Sequence, residues 1–315
     1  MNPVSGLGYN IFRYNIGGGE NTAHEHMDEH REMPGFAPAE GTWDWDADAN
    51  QRAILARIVE AGSEVILEAF SNSPPYWMTN SGCASGSSDG SNNLRDDAYN
   101  VMRTYDAATL ATMSQMNGHS YSASASSRAN LRGLATMKAK RLWQSESGPL
   151  SVTLADNTEA ALFMAARIVT DLRDLQPNAW LDWQVGDPSQ NWASIGLNDN
   201  QQSWTPLKRF YMHANFSRFI RPGATMLAVT TAGMVAFESG DGATLAVVIV
   251  NDSTTAARSY TFDLTALAAV GAQTAVYRTS RTENLASLAA IPVQDWSFTV
   301  SAPAYSITTL VIPLR

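Results

Sequence analysis

The sequence predicts an α/β chain built in two parts, a parallel sheet covered by helices and then an antiparallel β-sandwich. Strand-like runs alternate with helical patterns as far as Arg221-Pro222-Gly223, the signature of a parallel sheet with crossover helices. Beyond that point short alternating runs follow one another, separated by turn residues and with no helical pattern between them. The 315 residues, 44% hydrophobic, suffice for one large core and a smaller one. The boundary falls between residues 1–220 and 221–315.

In order, Ile11 to Ile16 reads as a strand closed by Gly17-Gly18-Gly19. Ala49 to Ala61 reads as a helix, with Ile54, Leu55, Ile58 and Val59 on one face and Gly62 as its stop. Val65 to Phe70 is the next strand, ending where Ser71-Asn72-Ser73-Pro74-Pro75 forbids helix. Asp106 to Gln115 is helical, Met116 to Tyr121 a short strand, and a further helix runs to Ala139. The Ser-rich stretches Gly82 to Ser91 and Ser122 to Ser127 read as loops. A strand ending at Glu146 follows, then an amphipathic helix from Thr158 to Leu175, a strand from Trp180 to Val185, and a helix from Pro206 to Ile220 that Pro206 can start. In the second part Thr244 to Val250, Ser259 to Leu264, Thr274 to Thr279, Trp296 to Val300 and Ser306 to Ile312 read as strands, with Asp241-Gly242 and Asn251-Asp252-Ser253 as turns.

The formal net charge of −9, with no basic run, argues against nucleic acid, whose phosphates demand clustered Lys and Arg. No stretch approaches the roughly 20 apolar residues of a membrane span. Met1-Asn2-Pro3-Val4 lacks the charged and apolar regions of a secretory leader, and the sequence leaves localisation unknown. Cys83 stands alone, so no intrachain disulfide is expected. His24-Glu25-His26-Met27-Asp28-Glu29-His30 lacks the spacing that sets two ligands one helical turn apart, and neither a metal nor a cofactor is expected. Nine Trp and ten Tyr suit the stacking of sugar rings, and equally suit core packing.

The most informative stretch is Lys140-Arg141-Leu142-Trp143-Gln144-Ser145-Glu146-Ser147-Gly148: a short buried strand ending in a carboxylate, then a glycine turn. The C-terminal end of a parallel strand is where such enzymes place catalytic groups. A strand-end Glu that caps a turn or pairs with an Arg fits the same text. Four ordered segments decide more than this one alone. They are Arg13 to Gly19, Glu68 to Met78, the Glu146 stretch, and Trp180-Leu181-Asp182-Trp183-Gln184. Together with Arg209-Phe210-Tyr211 and Arg221-Pro222-Gly223, they resemble glycoside hydrolase family 30, especially its endo-β-1,6-galactanase-like branch.

The resemblance implies a (β/α)8 TIM-like barrel with an attached β-sandwich, and hydrolysis of β-glycosidic bonds with retention. It implies Glu146 as nucleophile on the seventh barrel strand and Trp183 as the floor of the sugar site on the eighth. It places Asn72 and Trp77 at the substrate-side turn after the third strand, His119 and Tyr121 on the sixth, and Asn15 on the second. Other residues of this sequence depart from the pattern. Only about a dozen residues precede Arg13, where a first strand should stand. Asn100 runs through Val101-Met102-Arg103-Thr104 to Tyr105, where the family has its fourth and fifth strands and the Asn-Glu-Pro motif of its acid/base. No Asn-Glu-Pro occurs in the sequence. The expectation is an incomplete barrel of about five strand–helix units, weak hydrolysis of β-galactosides or β-1,6-linked oligosaccharides, and a homodimer that covers the open arc. A carbohydrate-binding pseudoenzyme is the alternative. Glu68, on the face of its strand shared with Phe70 and Asn72, is expected to pair with Arg13 rather than replace the missing acid. Glu25, Glu29, Glu32, Asp96 and Asp97 are further candidates for that place, and Trp43 and Trp45 are either loop packing or sugar platforms.

Overall fold

The computed structural model describes residues 2, 6–21, 23, 32–62, 64–84, 98–149 and 153–314. The metal candidates from His24 to His30, with Glu25 and Glu29, and the acids Asp96 and Asp97 lie outside them. Backbone contacts divide the chain into two compact units, Met1–Asn2 with Tyr9–Arg95 and Pro3–Gly8 with Asp96–Arg315.

The first unit holds β1 (Ile11–Ile16), α1 (Ala49–Ala61), β2 (Ile66–Ser71) and a single turn of 3₁₀ helix at Tyr76–Met78. β1 and β2 pair in parallel with Arg13 opposite Glu68 and Asn15 opposite Phe70. The Arg13 guanidinium lies over the Phe70 ring, 4.1 Å from its centroid. Gly62 stops α1, its N–H bonding the Val59 carbonyl, but with extended backbone rather than the left-handed turn common at helix ends. The apolar stripe of α1 is incompletely covered: Leu55 and Ile58 are half-buried, whereas Ile54 and Val59 are exposed. Ile66 and Leu67 at the start of β2 are exposed too.

The second unit begins with α2 (Ala98–Met102) and α3 (Ala107–Thr112), which lead into β3 (Gln115–His119). Among the described residues no strand stands between β2 and β3. Then come α4 (Ala125–Met137), β4 (Arg141–Glu146), α5 (Asn157–Asp174) and β5 (Ala179–Trp180). β3, β4 and β5 form a parallel sheet in that order. Short polar side chains set the helix starts: Asp106, Ser124 and Asp156 each accept a backbone N–H at the start of α3, α4 and α5. Ser124 thereby corrects the reading of Ser122 to Ser127 as loop throughout, because its last residues already belong to α4. β5 is shorter than expected. The chain leaves it for a small sheet of β6 (Gly186–Asp187), β7 (Ile195–Asn198) and β8 (Ser203–Pro206). Pro206 therefore ends a strand instead of starting a helix, and α6 runs from Lys208 to Ser217.

The sandwich comprises β9 (Thr225–Leu227), β10 (Met234–Glu238), β11 (Thr244–Asn251), β12 (Arg258–Asp263), β13 (Gln273–Thr279), β14 (Ala286–Pro292), β15 (Ser297–Ala302) and β16 (Ser306–Pro313). Its larger sheet has the order β14-β13-β16-β11-β10-β9, and its smaller one pairs β12 with β15. β11 is buried along nearly its whole length rather than on alternate residues. The reason is that both faces of the large sheet are covered. Leu245, Val247 and Ile249 meet Phe298 and Val300 of the smaller sheet, while Val248 and Val250 meet Ile168 of α5 and Met212 of α6. Asn215 on α6, fully buried, completes the second contact by bonding Thr279 of β13 and Thr309 of β16.

Candidate active site

β4 enters the site as a continuous buried run, Leu142-Trp143-Gln144-Ser145, before Glu146. Gly118 pairs with Gln144, yet the next residue, His119, pairs with Glu146, so Ser145 is an extra residue in the ladder. An irregularity of this kind at a strand end re-aims the side chains beyond it. Gln144, fully buried, ties the three strand ends together. Its amide donates to Ser120 Oγ at 3.1 Å, and its carbonyl accepts from the Leu181 N–H at 3.2 Å. Tyr121 donates its hydroxyl proton to Glu146 Oε1 at 2.7 Å, and His119 Nδ1 lies 3.5 Å from the same oxygen. The Glu146 side chain is 12% exposed, enough to meet a ligand while remaining fixed by its neighbours. A cavity lined by Tyr99, Asn100, Gly118, His119 and Arg128 opens at the end of β3.

Two buried ion clusters brace these strand ends. Asp171 of α5 accepts from Arg128 Nε at 2.6 Å, Ser120 Oγ at 2.6 Å and Trp180 Nε1 at 2.9 Å, so one carboxylate joins α4, α5 and the ends of β3 and β5. Asp182, beyond β5, bonds Arg209 through one oxygen and lies 2.9 Å from His213 Nε2 through the other. Burial pushes the Asp182 carboxyl up, but Arg209 and His213 outweigh it and hold the group below its ordinary range. Arg209 also donates to the Trp183 carbonyl at 3.3 Å and the Asn191 carbonyl at 2.9 Å. The Trp183 N–H donates to Ser147 O at 2.8 Å, which links the tryptophan to the turn after Glu146. The peptide from Trp183 to Gln184 is cis. Trp192 packs on Gly148 so closely that a β-carbon there would lie 2.7 Å from its ring.

Four of the residues singled out in the sequence therefore meet in the second unit: Glu146, Tyr121 and His119 by direct approach, and Trp183 through Ser147. Asn15, Asn72 and Trp77 belong to the first unit. Asn15 is held by Gln51, which donates to its carbonyl and accepts from its N–H, both at 3.0 Å. Asn72 is exposed in the turn after β2, and the Trp77 indole N–H is used on the Ala37 carbonyl at 2.8 Å. Sequence reasoning missed Asp171, Arg128, His213 and Trp192. The placement of Asp171 inside an otherwise apolar helical stripe was the one signal available, since a buried carboxylate needs a partner.

The second unit thus joins a parallel sheet, a carboxylate at a strand end with a Tyr donor upon it, an aromatic residue beyond the next strand, and a sandwich packed on its helices. Residues 2–127 match the sequence profile of O-glycosyl hydrolase family 30. An endo-β-1,6-galactanase of Hypocrea rufa is 26% identical over 363 aligned positions, covering 83% of this chain and 73% of the relative. A conserved exported protein from Bacteroides fragilis superposes with a TM-score of 0.72 at 17% identity, over 96% of this chain and 88% of that one. A family 30 endoxylanase from Clostridium papyrosolvens gives 0.66 at 22% identity, over 97% and 89%. A family 30 subfamily 8 xylanase from Clostridium acetobutylicum gives 0.68 at 19%, over 98% and 90%. Residues 2–127 thus resemble glycoside hydrolase family 30, and the chain has the general barrel-plus-sandwich fold of these neighbours.

Proposed function

We propose that this chain is a retaining β-glycosidase with Glu146 as its nucleophile, acting weakly on β-galactosides or short β-1,6-linked oligosaccharides. The observation that carries the reading is the setting of Glu146, with Tyr121 donating at 2.7 Å and His119 3.5 Å away. A carboxylate that attacks the anomeric carbon must be ionised and held still, and a phenolic hydroxyl upon it serves both needs. Trp183 offers the sugar a flat apolar face, and His119 supplies a further contact to the substrate. The likeness to an endo-β-1,6-galactanase supports the choice of sugar.

Retention ordinarily requires a second carboxyl group about 5–5.5 Å from the first, to protonate the leaving oxygen. The sequence has no Asn-Glu-Pro to supply it. In this reading the catalytic part spans residues 1–220, its barrel lacks the fourth and fifth strands, and the sandwich occupies 221–315. A good leaving group needs little protonation, so aryl glycosides are the favoured substrates. Two copies of the chain cover one another's apolar surface as a homodimer. Ile54, Val59, Ile66 and Leu67, all exposed in the first unit, support this. Light scattering at micromolar concentration that finds a monomer would sink that part of the proposal.

The experiment is hydrolysis of aryl β-galactoside, β-glucoside and β-fucoside by wild type and Glu146→Gln, with and without azide. Turnover that depends on Glu146 and accelerates with azide is the expected result, since azide attacks the glycosyl-enzyme without a general base. No turnover on any substrate, with or without azide, overturns it. Retained sugar binding in that case favours a pseudoenzyme, a reading that the missing motif already suggests.

A further inference from the structure

The loop between β1 and α1 carries three aromatic rings that, with Tyr14 of β1, form a column rising from the sheet to the surface. Tyr14 on β1 is its base, with its hydroxyl donated to Asp48 at 2.6 Å. Burial and that bond push the Tyr14 phenol up to about 12, so it stays neutral. Phe36 follows, 6.5 Å from Tyr14, and Trp45 lies 6.2 Å from Phe36. Trp43 ends the column, 5.2 Å from Trp45 with the two indole planes only 4° apart.

Both tryptophans face solvent, Trp43 being 60% and Trp45 68% exposed. Single exposed apolar residues need no explanation. A parallel indole pair on a fastened loop is a different matter, because each Trp could bury roughly 150–250 Å². The stretch from Phe36 to Asp46 is indeed fastened. Asp44 N–H bonds the Phe36 carbonyl at 2.9 Å and Thr42 N–H the Ala39 carbonyl at 3.0 Å. Arg52 donates to the Trp45 carbonyl at 3.0 Å and the Asp46 carbonyl at 2.8 Å. Tyr76 and Trp77 donate to the carbonyls of Pro38 and Ala37. A surface held this way loses little freedom when a ligand lands on it.

The chemistry around the column selects the ligand. An indole face suits a ring that is flat, apolar on one side and rimmed by hydroxyls. Glu40, Asp44 and Asp46, all exposed and within three residues of Trp43 along the chain, can accept hydrogen bonds from such hydroxyls and repel an anionic chain. We propose that Trp43 is the receiving face of a subsite for one ring of a neutral β-linked oligosaccharide, with Trp45, Phe36 and Tyr14 as its rigid backing. The proposal rests on the carbohydrate-acting reading above and adds a contact to it that is independent of Glu146.

The test is calorimetric titration of the Glu146→Gln protein, which does not consume the sugar, with β-1,6-galactotriose and with cellotriose. Trp43→Ala in that background should weaken binding of at least one of them about tenfold, the loss of one aromatic stacking contact. Trp43→Phe, which keeps a ring, should recover most of the affinity. Unchanged binding in Trp43→Ala overturns the proposal, as does an equal loss in Trp43→Phe, or a parent protein that binds neither sugar. So does a dimer that dissociates in Trp43→Ala while sugar affinity holds, which would make the column a contact between copies of this chain. Aryl glycoside turnover and its dependence on Glu146 are measured separately in the native protein, so either proposal can fail alone.

Discussion

Replacing Asp182 by Asn tests the bracing of the site without reference to any substrate. The side chain is only 6% exposed, and it faces Arg209, which is 0% exposed, and His213, which is 5% exposed. The change keeps the shape and removes the charge. Arg209 retains the carbonyls of Trp183 and Asn191, so the guanidinium is not wholly orphaned. Breaking a buried pair on one side costs about 3–5 kcal/mol, and those two remaining acceptors put the loss near the lower end, about 3 kcal/mol. Removing both charges with Asp182→Asn and Arg209→Met should cost less than the two single losses added together, because no lone charge stays behind. The pH dependence has a definite sign. The Asp182 carboxyl is depressed in the folded chain, so its contribution is fully present above the ordinary value of 3.8 and fades as pH falls through the lower folded value. The gap between wild type and Asp182→Asn should therefore narrow as pH falls below about 3.8. Urea denaturation followed by far-ultraviolet circular dichroism at several pH values measures it. A loss under about 1 kcal/mol at neutral pH, or a gap that widens in acid, would refute the reasoning.

Three other changes probe neighbouring contacts. Tyr121→Phe removes the 2.7 Å bond to Glu146, and a hydrogen bond to a charged acceptor carries about 1.5–3 kcal/mol, so kcat/KM on aryl glycosides should fall by roughly 10- to 150-fold. Gly148→Ala drives a methyl group to 2.7 Å from Trp192 and 3.0 Å from the Trp183 carbonyl. Urea denaturation should report a loss of about 1–3 kcal/mol, the usual cost of overpacking. Asp171→Asn leaves Arg128, 6% exposed, without its carboxylate; stability should drop by about 3 kcal/mol, and the Gln144–Ser120–Asp171 chain that aligns the strand ends should loosen. An unchanged denaturation curve would show that Arg128 finds its balance elsewhere, the Ala123 carbonyl at 2.5 Å being the alternative acceptor.

Local text specified the strands β1, β2, β4 and most of the sandwich, because alternation and turn chemistry act over a few residues. β9, β10 and β14 escaped notice. β14 is largely exposed, so its text carries little apolar signal. β10 is buried on both faces and thus loses the alternation that marks a half-buried strand. Pro206 illustrates the opposite error. A proline fits the first turn of a helix and the end of an edge strand equally well, and only the pairing of Ile195 with Pro206 separates the two.

Glu146 was legible as a strand-end carboxylate, and the resemblance singled out Tyr121 and His119, which the structure places against it. By itself, then, the sequence marked most of the elements, a resemblance to family 30 and Glu146 as the candidate nucleophile, since each rests on patterns within short segments. What only the tertiary structure decided was how those residues are held. The extra residue at Ser145, the joining of four side chains at Asp171, and the clamp of Asp182 between Arg209 and His213 all unite positions far apart in the chain. Such contacts exist because a buried charge must find its opposite wherever the fold brings one near, a condition of space that no local spacing encodes.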